Sequence, residues 1–160
     1  MRKKFRFFAS VLALVTLFLC GCEESGKFVY KDSIENTYLI VDLPKNELSD
    51  NHLSWKLKTC DPTYYCFDSS ILEFAVPKNF SGSGSWNLGK AQYVSVGKRN
   101  VVFLGKSVEA YLFHQKMGDQ KNWFLYSKGK GLIGMGSLSG EKRFFYLIQG
   151  MCGFGSEDKC

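Results

Sequence analysis

The chain has 160 residues, of which 21 are Lys or Arg and 15 are Asp or Glu, a formal net charge of +6. Four of these bases, Arg2, Lys3, Lys4 and Arg6, precede a long apolar run, and the chain from Cys22 onward has only 17 bases against 15 acids. This near balance argues against a nucleic-acid partner. A hydrophobic content of 45% excludes a disordered chain, and the length suits one domain with its own core.

The N-terminus has the order of parts of a signal peptide: a cationic start, an apolar segment over about 7–19, and then Leu19-Cys20-Gly21-Cys22. Those four residues resemble the lipobox of bacterial lipoproteins. The resemblance implies that Cys22 becomes the lipidated first residue of the mature chain. Cys20 is the weaker candidate, because the bulky Leu19 would precede it. Acyl chains on Cys22 would hold the protein on a membrane without spanning it.

The same resemblance predicts a location in the bacterial cell envelope. Glu23, and not Asp, follows Cys22, which by the family's sorting rule favours the outer membrane and a domain facing the periplasm. No second apolar run approaches the ~18 residues of a membrane span. We therefore divide the chain into a signal peptide (1–21), a short tether (22–26) and a single β-rich domain (27–160).

Four cysteines follow Cys22: Cys60, Cys66, Cys152 and Cys160. An even number in an oxidising compartment predicts disulfides. Three pairings are open, and the spacing favours Cys60 with Cys66 and Cys152 with Cys160, each closing a short loop. A zinc site is disfavoured because there is no C-x-x-C pair and neither histidine lies at ligand spacing. The sequence thus predicts no metal and no cofactor.

Beyond the tether, short apolar segments rich in β-branched and aromatic residues alternate with turn signals. This pattern predicts a mostly β fold, an antiparallel β-sandwich or a small β-barrel. We expect strands over 27–30, 38–42, 53–59, 71–76, 92–96, 101–104, 108–115, 122–127, 132–137 and 143–149. Turns are expected at 44–46, 61–62, 79–85, 97–100, 118–119 and 139–140. The segment 107–117 also fits one short helix capped by Gly118, although we favour a strand.

The predicted strands of the C-terminal half carry aromatic residues on both faces, as at Tyr111, Trp123 and Phe145. This predicts a sheet covered on both sides, with one covered face and one partner-binding face as the alternative. Residues 123–133 also resemble an aromatic strand, glycine turn and apolar strand pattern of small bacterial envelope lipoproteins. That resemblance implies a β-hairpin and no activity.

Several motifs of enzymes and nucleotide-binding proteins occur in incomplete form. Residues 129–134 match G-x-G-x-x-G without a following helix, and residues 84–90 match G-x-x-x-x-G-K but lack the hydroxyl that a P-loop needs next. Only His52 and His114 could serve as the base of a triad. Glu73 is the one acid on an apolar strand. We expect no nucleotide binding and no enzymatic activity.

Charge is distributed unevenly along the mature chain, with 7 bases and 10 acids over 22–90 and 10 bases and 5 acids over 91–160. In a meander, the expected turns at Lys98-Arg99 and at Lys128 and Lys130 would lie at one end of the sheet. We call these four residues the basic rim; it could meet an acidic protein or an anionic lipid headgroup. The sequence predicts a non-catalytic protein-binding lipoprotein, such as an immunity protein against an exported toxin. The alternative is a structural or accessory lipoprotein of an envelope or secretion assembly.

Overall fold

A computed structural model describes residues 26–32, 34–139 and 142–158, and this part of the chain is all-β. The twelve strands are β1 (Lys27–Asp32), β2 (Tyr38–Asp42), β3 (Glu47–Ser49), β4 (Ser54–Lys56), β5 (Tyr64–Asp68), β6 (Glu73–Pro77), β7 (Ser85–Leu88), β8 (Ala91–Phe103), β9 (Lys106–Met117), β10 (Gln120–Ser127), β11 (Gly131–Ser139) and β12 (Lys142–Ile148). No helix of the described residues has the length and hydropathy to cross a membrane. The signal peptide, Cys20, Cys22 and Glu23 lie outside the described residues.

Ten of the strands form one antiparallel sheet in the order β4-β3-β2-β1-β12-β11-β10-β9-β8-β7. Both halves of this order are meanders of sequential neighbours, and the two halves meet where β1 pairs with β12, Tyr30 opposite Ile148. The other two strands, β5 and β6, form a separate hairpin. The predicted antiparallel β fold is therefore confirmed.

The β5–β6 hairpin lies inside the curve of the large sheet. Phe67 and Phe74 face each other across the hairpin and are at most 1% exposed. Lys58, just after β4, bridges to Asp68 of β5, while the Trp86 indole of β7 donates to the Ala75 carbonyl at 3.1 Å. Both edge strands of the large sheet thus approach the hairpin, so the sheet must bend around it. We call the face of the sheet toward the hairpin the inner face.

The C-terminal segment 152–158 completes the core beside the β10–β11 turn. The Phe154 ring packs edge-on against Phe28, Phe67 and Phe74, with centroids 5.4 to 6.1 Å away. The buried Tyr30 hydroxyl donates to the Leu132 carbonyl at 3.0 Å and accepts from the Phe154 N–H at 3.1 Å. This hydroxyl therefore ties β1, β11 and the C-terminal segment together.

The structure contains the predicted disulfide between Cys60 and Cys66, whose Cα atoms are 6.1 Å apart. The loop it closes carries the predicted turn, in which the Thr63 N–H donates to the Asp61 carboxylate at 2.9 Å. Cys152 is buried. Its predicted partner, Cys160, lies outside the described residues, so that pairing stays a prediction.

The expected turn at 97–100 is wrong, because these residues lie inside the thirteen-residue strand β8. A bulge between Ser95 and Gly97 shifts the register there, and Gly97 takes a φ of 139° that favours glycine. The expected strands 92–96 and 101–104 are therefore one strand. At 107–117 the strand is confirmed as β9, while the short strands β3, β5 and β7 were not predicted.

Asp32 offers a test of how the first turn is held. Its carboxylate is 1% exposed and accepts the N–H groups of Ile34, Glu35 and Phe145 at 2.6, 2.7 and 3.1 Å. Burial alone would raise the pKa of this carboxyl, but the three N–H groups outweigh it and lower the pKa below its ordinary value of 3.8.

We expect Asp32→Asn to lower the free energy of unfolding by about 1–3 kcal/mol at pH 7. Because the folded state holds the ionised form, this contribution is present above the ordinary pKa and is lost as the pH falls through the lowered one. Urea denaturation from pH 7 to pH 3 should show the two proteins converging. Asp119→Asn in the exposed β9–β10 turn is the control, and a constant difference for Asp32→Asn at every pH would contradict the explanation.

Candidate functional site

The face of the sheet away from the hairpin carries a row of apolar side chains, which we call the outer patch: Val94, Leu112, Trp123, Phe145 and Leu147. Register places them together, because His114 lies between Val94 and Trp123, and Gly136 lies between Trp123 and Phe145. Val94 and Leu147 are 44% and 38% exposed, and the other three are half-buried. Phe113 and Phe124, which alternate with the outer-patch residues along β9 and β10, are fully buried on the inner face.

The centre of the outer patch is held in a defined shape. The rings of Trp123 and Phe145 lie with centroids 4.9 Å apart. Trp123 lies directly over Gly136, where an added Cβ would stand 2.3 Å from the indole. Glycine is therefore required for the indole to lie against the sheet, and the aromatic pair forms a flat, preorganised surface.

The two faces of the sheet are covered to different degrees. Phe113, Phe124 and Tyr126 are covered on the inner face, whereas Trp123 and Phe145 are only half-buried and Val94 and Leu147 are exposed on the outer face. Tyr111 does not belong with them, because its ring packs 5.2 Å from Phe80 on the inner side. The structure thus has one covered face and one open apolar face, the alternative arrangement in the sequence analysis.

Cations border the outer patch at the end of the β9–β10 hairpin, where Asp119 in the turn is the nearest acid. Lys116 and Lys121 stand directly opposite each other on β9 and β10, and both are exposed. Glu109 is the only acid in strands β8–β12 as described, and its side chain turns to the other face, where it accepts from the Tyr111 hydroxyl at 2.9 Å. Like charges directly opposite each other destabilise a sheet. This lysine pair is consequently a site where an external carboxylate would be stabilising.

The basic rim is less positive than the sequence suggests. Lys98 forms an ion pair with Glu109. The Lys130 ammonium nitrogen lies 3.1 Å from a carboxylate oxygen of Asp158. The hydrogen bond from Lys98 lowers the pKa of Glu109, and the charge of Lys128 adds to this. Lys98 and Arg99 lie within β8 and not in a turn. Arg99 and Lys128 keep exposed charges at this end.

Comparisons with protein-family models, curated proteins and solved structures found no match.

Glu73 is buried, as its setting on an apolar strand suggests, and it ends a chain of hydrogen bonds across the inner face. Asn122 donates to Gln115 at 2.6 Å, Gln115 donates to the Tyr93 hydroxyl at 2.8 Å, and Tyr93 donates to the Glu73 carboxylate at 3.0 Å. Burial raises the pKa of Glu73, and the charge of Asp68 raises it further. This series of hydrogen bonds fastens β6 to β8, β9 and β10.

A cleft of about 400 Å³ opens at the Asn122 end of this series of hydrogen bonds. Its apolar walls include Leu39, Leu72, Met135 and Tyr146, and its polar lining is Asp50, Gln120, Asn122 and Ser137. Glu73, His52 and His114 are not among its lining residues. His114 stands on the outer face of β9, and His52 lies in the β3–β4 turn. Within the described ranges, no three His, Cys, Asp or Glu side chains are grouped to hold a metal ion.

Sequence reasoning missed the lysine pair. The expected strands over 108–115 and 122–127 stopped short of both lysines, although the expected turn at 118–119 is the signal that could have found the pair. The two-residue turn Gly118-Asp119 fixes the strand register, since Met117 and Gln120 pair directly across it. The next pair along this hairpin is therefore Lys116 with Lys121.

Proposed function

We propose that the protein is a lipid-anchored, non-catalytic module of the bacterial cell envelope that binds a partner protein through the outer patch and the lysine pair. The open apolar face of strands β8–β12 is the observation that carries this proposal. Uncovered apolar patches bordered by polar residues mark sites of interaction. Aromatic residues at the centre, with charges at the rim, are typical of protein interfaces.

The chemistry of this face defines the partner. A flat aromatic pair needs an apolar surface of matching shape, and the lysine pair needs carboxylates beside it. Trp123 and Phe145 are held by Gly136 and by each other, so little side-chain freedom is lost on binding. We propose an exported toxin as this partner, with the protein acting as its inhibitor. A component of an envelope or secretion assembly is the second candidate.

The decisive change is Lys121→Glu, because it separates binding from folding. A carboxylate opposite Lys116 turns a repulsive pair into an attractive one, which should raise the free energy of unfolding by about 0.2–1 kcal/mol. The same change should weaken capture of an acidic partner by about tenfold or more. Thermal denaturation measures the first effect, and site-specific photo-crosslinking from position 112 in the producing cell measures the second.

A matched control is Lys78→Glu, since Lys78 is exposed just after β6, in the separate hairpin on the inner side of the sheet and not on the outer face. Mass spectrometry of the protein crosslinked from position 112 distinguishes a toxin from an assembly component. The proposal fails if Lys121→Glu leaves the crosslink unchanged, or if a photoreactive group at Lys56 of edge strand β4 gives the same adduct.

The anchor has its own test. We expect Cys22→Ser to abolish acylation and the cleavage that precedes Cys22, because the lipid and the cut both depend on that thiol in a lipobox. Cys20→Ser should change neither. Mass spectrometry of the mature N-terminus measures both results. A mature chain that begins at any residue other than Cys22 would contradict the lipoprotein assignment.

A further inference from the structure

The β8–β9 hairpin extends beyond the neighbouring strands. The last pair between β9 and β10 joins Tyr111 to Tyr126, whereas β8 and β9 continue pairing as far as Phe103 with Lys106. On the other side, the pairing of β7 with β8 begins at Ser85 and Val94. The outer part of this hairpin is therefore a two-stranded extension, which we call the hairpin tip (101–106).

The hairpin tip is apolar where a turn is normally polar. Val102 is 81% exposed and Leu104 is 67% exposed. Leu104 and Gly105 form the two-residue turn, with φ of 49° and 75°. A leucine is disfavoured at positive φ, and Asn, Asp or Gly is usual there. Neither solvation nor backbone conformation explains leucine at this position, so an apolar environment outside the chain is the remaining physical reason.

Cations surround the hairpin tip. Lys106 adjoins the turn and is exposed, as are Arg99 on β8 and Lys128 in the β10–β11 turn. Among the nearby acids, Glu109 pairs with Lys98, Asp158 lies beside Lys130, and the exposed Glu157 donates its backbone N–H to the Lys128 carbonyl. An apolar tip ringed by Lys and Arg matches the interface of a bilayer with anionic lipids.

The direction of the strands places the start of the domain at the same end. Strands β8, β10 and β12 run toward the end that carries the hairpin tip, and β1, antiparallel to β12, runs away from it. Lys27 therefore lies at that end. Five Cα steps separate Cys22 from Lys27, a reach of at most ~18 Å. A bilayer holding acyl chains on Cys22 would consequently face the hairpin tip.

We propose that the hairpin tip inserts into the interface of an anionic bilayer, with Val102 and Leu104 among the acyl chains and Arg99, Lys106 and Lys128 at the headgroups. This assignment rests on the lipid anchor of the proposed function and is independent of the partner protein. The strands then stand steeply on the bilayer. The outer patch faces sideways along the membrane surface, open to a partner in the same compartment.

The test uses the mature acylated protein in vesicles of phosphatidylcholine and phosphatidylglycerol that carry bromine at known acyl-chain depths. Val102→Trp places an indole in the hairpin tip, and Asp119→Trp places one in the turn at the opposite end. The unsubstituted protein supplies the background fluorescence of Trp55, Trp86 and Trp123. We expect bromine quenching of the Val102→Trp protein at a depth of about 5–10 Å, with no added quenching for Asp119→Trp.

The cations give a second measurement. Vesicles of phosphatidylcholine alone should lower the quenching of the Val102→Trp protein. Lys106→Glu and Lys128→Glu should do the same in anionic vesicles, because each cation near such a surface favours the inserted state by about fivefold. Lys90→Glu, in the β7–β8 turn at the opposite end of the sheet, is the matched control. Equal quenching with and without anionic lipid would overturn the electrostatic part of the proposal.

Three further results would overturn the proposal in distinguishable ways. Protein that floats with the vesicles while Val102→Trp is quenched no more than Asp119→Trp would refute insertion and leave the anchor intact. Protein that does not float would refute the anchor and insertion together. Strong quenching of the unsubstituted protein would place one of its own tryptophans, Trp55, Trp86 or Trp123, at the depth expected of the hairpin tip, which contradicts the proposed orientation.

Discussion

Phe154→Ala is expected to lower the free energy of unfolding by about 3–5 kcal/mol. The ring is 7% exposed and packs against Phe28, Phe67 and Phe74, so it joins β1 to both strands of the inner hairpin. Its removal leaves a cavity that backbone bonds prevent from closing, because the Leu132 N–H donates to the Phe154 carbonyl at 2.8 Å. Urea denaturation followed by fluorescence measures the loss.

Met151→Ala is the matched control for this prediction, since Met151 lies three residues earlier and is 62% exposed. Its removal should change the free energy of unfolding by no more than ~0.5 kcal/mol. A loss below ~1 kcal/mol for Phe154→Ala would mean that the C-terminal segment lies on the core without being part of it.

The second large effect is expected for Gly153→Ala, at ~3 kcal/mol or more. A Cβ at Gly153 would lie 1.8 Å from the Leu132 carbonyl oxygen, a backbone atom that no rotamer change can move. The Gly153 N–H also donates to the Lys130 carbonyl at 2.7 Å, which fixes the close approach from the other side. Accommodating the methyl group therefore requires separating the C-terminal segment from β11.

Gly105→Ala separates this steric cost from the cost of backbone conformation. Gly105 has a φ of 75°, but nothing lies within 4 Å of an added Cβ. Its replacement should cost about 1–2 kcal/mol. Thermal denaturation of the two variants should rank Gly153→Ala as the less stable, and the reverse order would contradict the tight crossing at Leu132.

Local patterns were sufficient to predict most of the large sheet. β2 begins and ends where alternation of apolar residues places it, and β9 is a strand although its apolar residues also fit a helical face. The long pairing of β9 with both β8 and β10 decides between these, because tertiary pairing outweighs weak local preference. The short strands β3 and β7 have too few residues for any alternation to show.

The site residues were harder to predict, for a physical reason. Alternation indicates that Trp123 and Phe124 point to opposite faces, but it does not indicate which face the rest of the chain covers. That depends on β5–β6, whose first strand, Tyr64-Tyr65-Cys66-Phe67-Asp68, follows a Pro-containing turn and itself holds one cysteine of the disulfide. Likewise, the residues around Lys98 and Arg99 indicated a turn. The local sequence does not show whether a glycine such as Gly97 forms a turn or a bulge inside a strand, because that depends on the neighbouring strands.

The pairing of β1 with β12 has a consequence for the order in which this chain can fold. The first strand of the sheet must wait for the last, since Tyr30 needs Leu132 and Phe154 for its hydroxyl bonds, 102 and 124 residues away. Contacts so distant in sequence slow folding. Strands β1 to β4 therefore stay without β12 beside them until that strand and the segment around Phe154 have emerged. During synthesis or export, the N-terminal third must be protected from pairing with other chains, and premature truncation would leave it without a sheet to join.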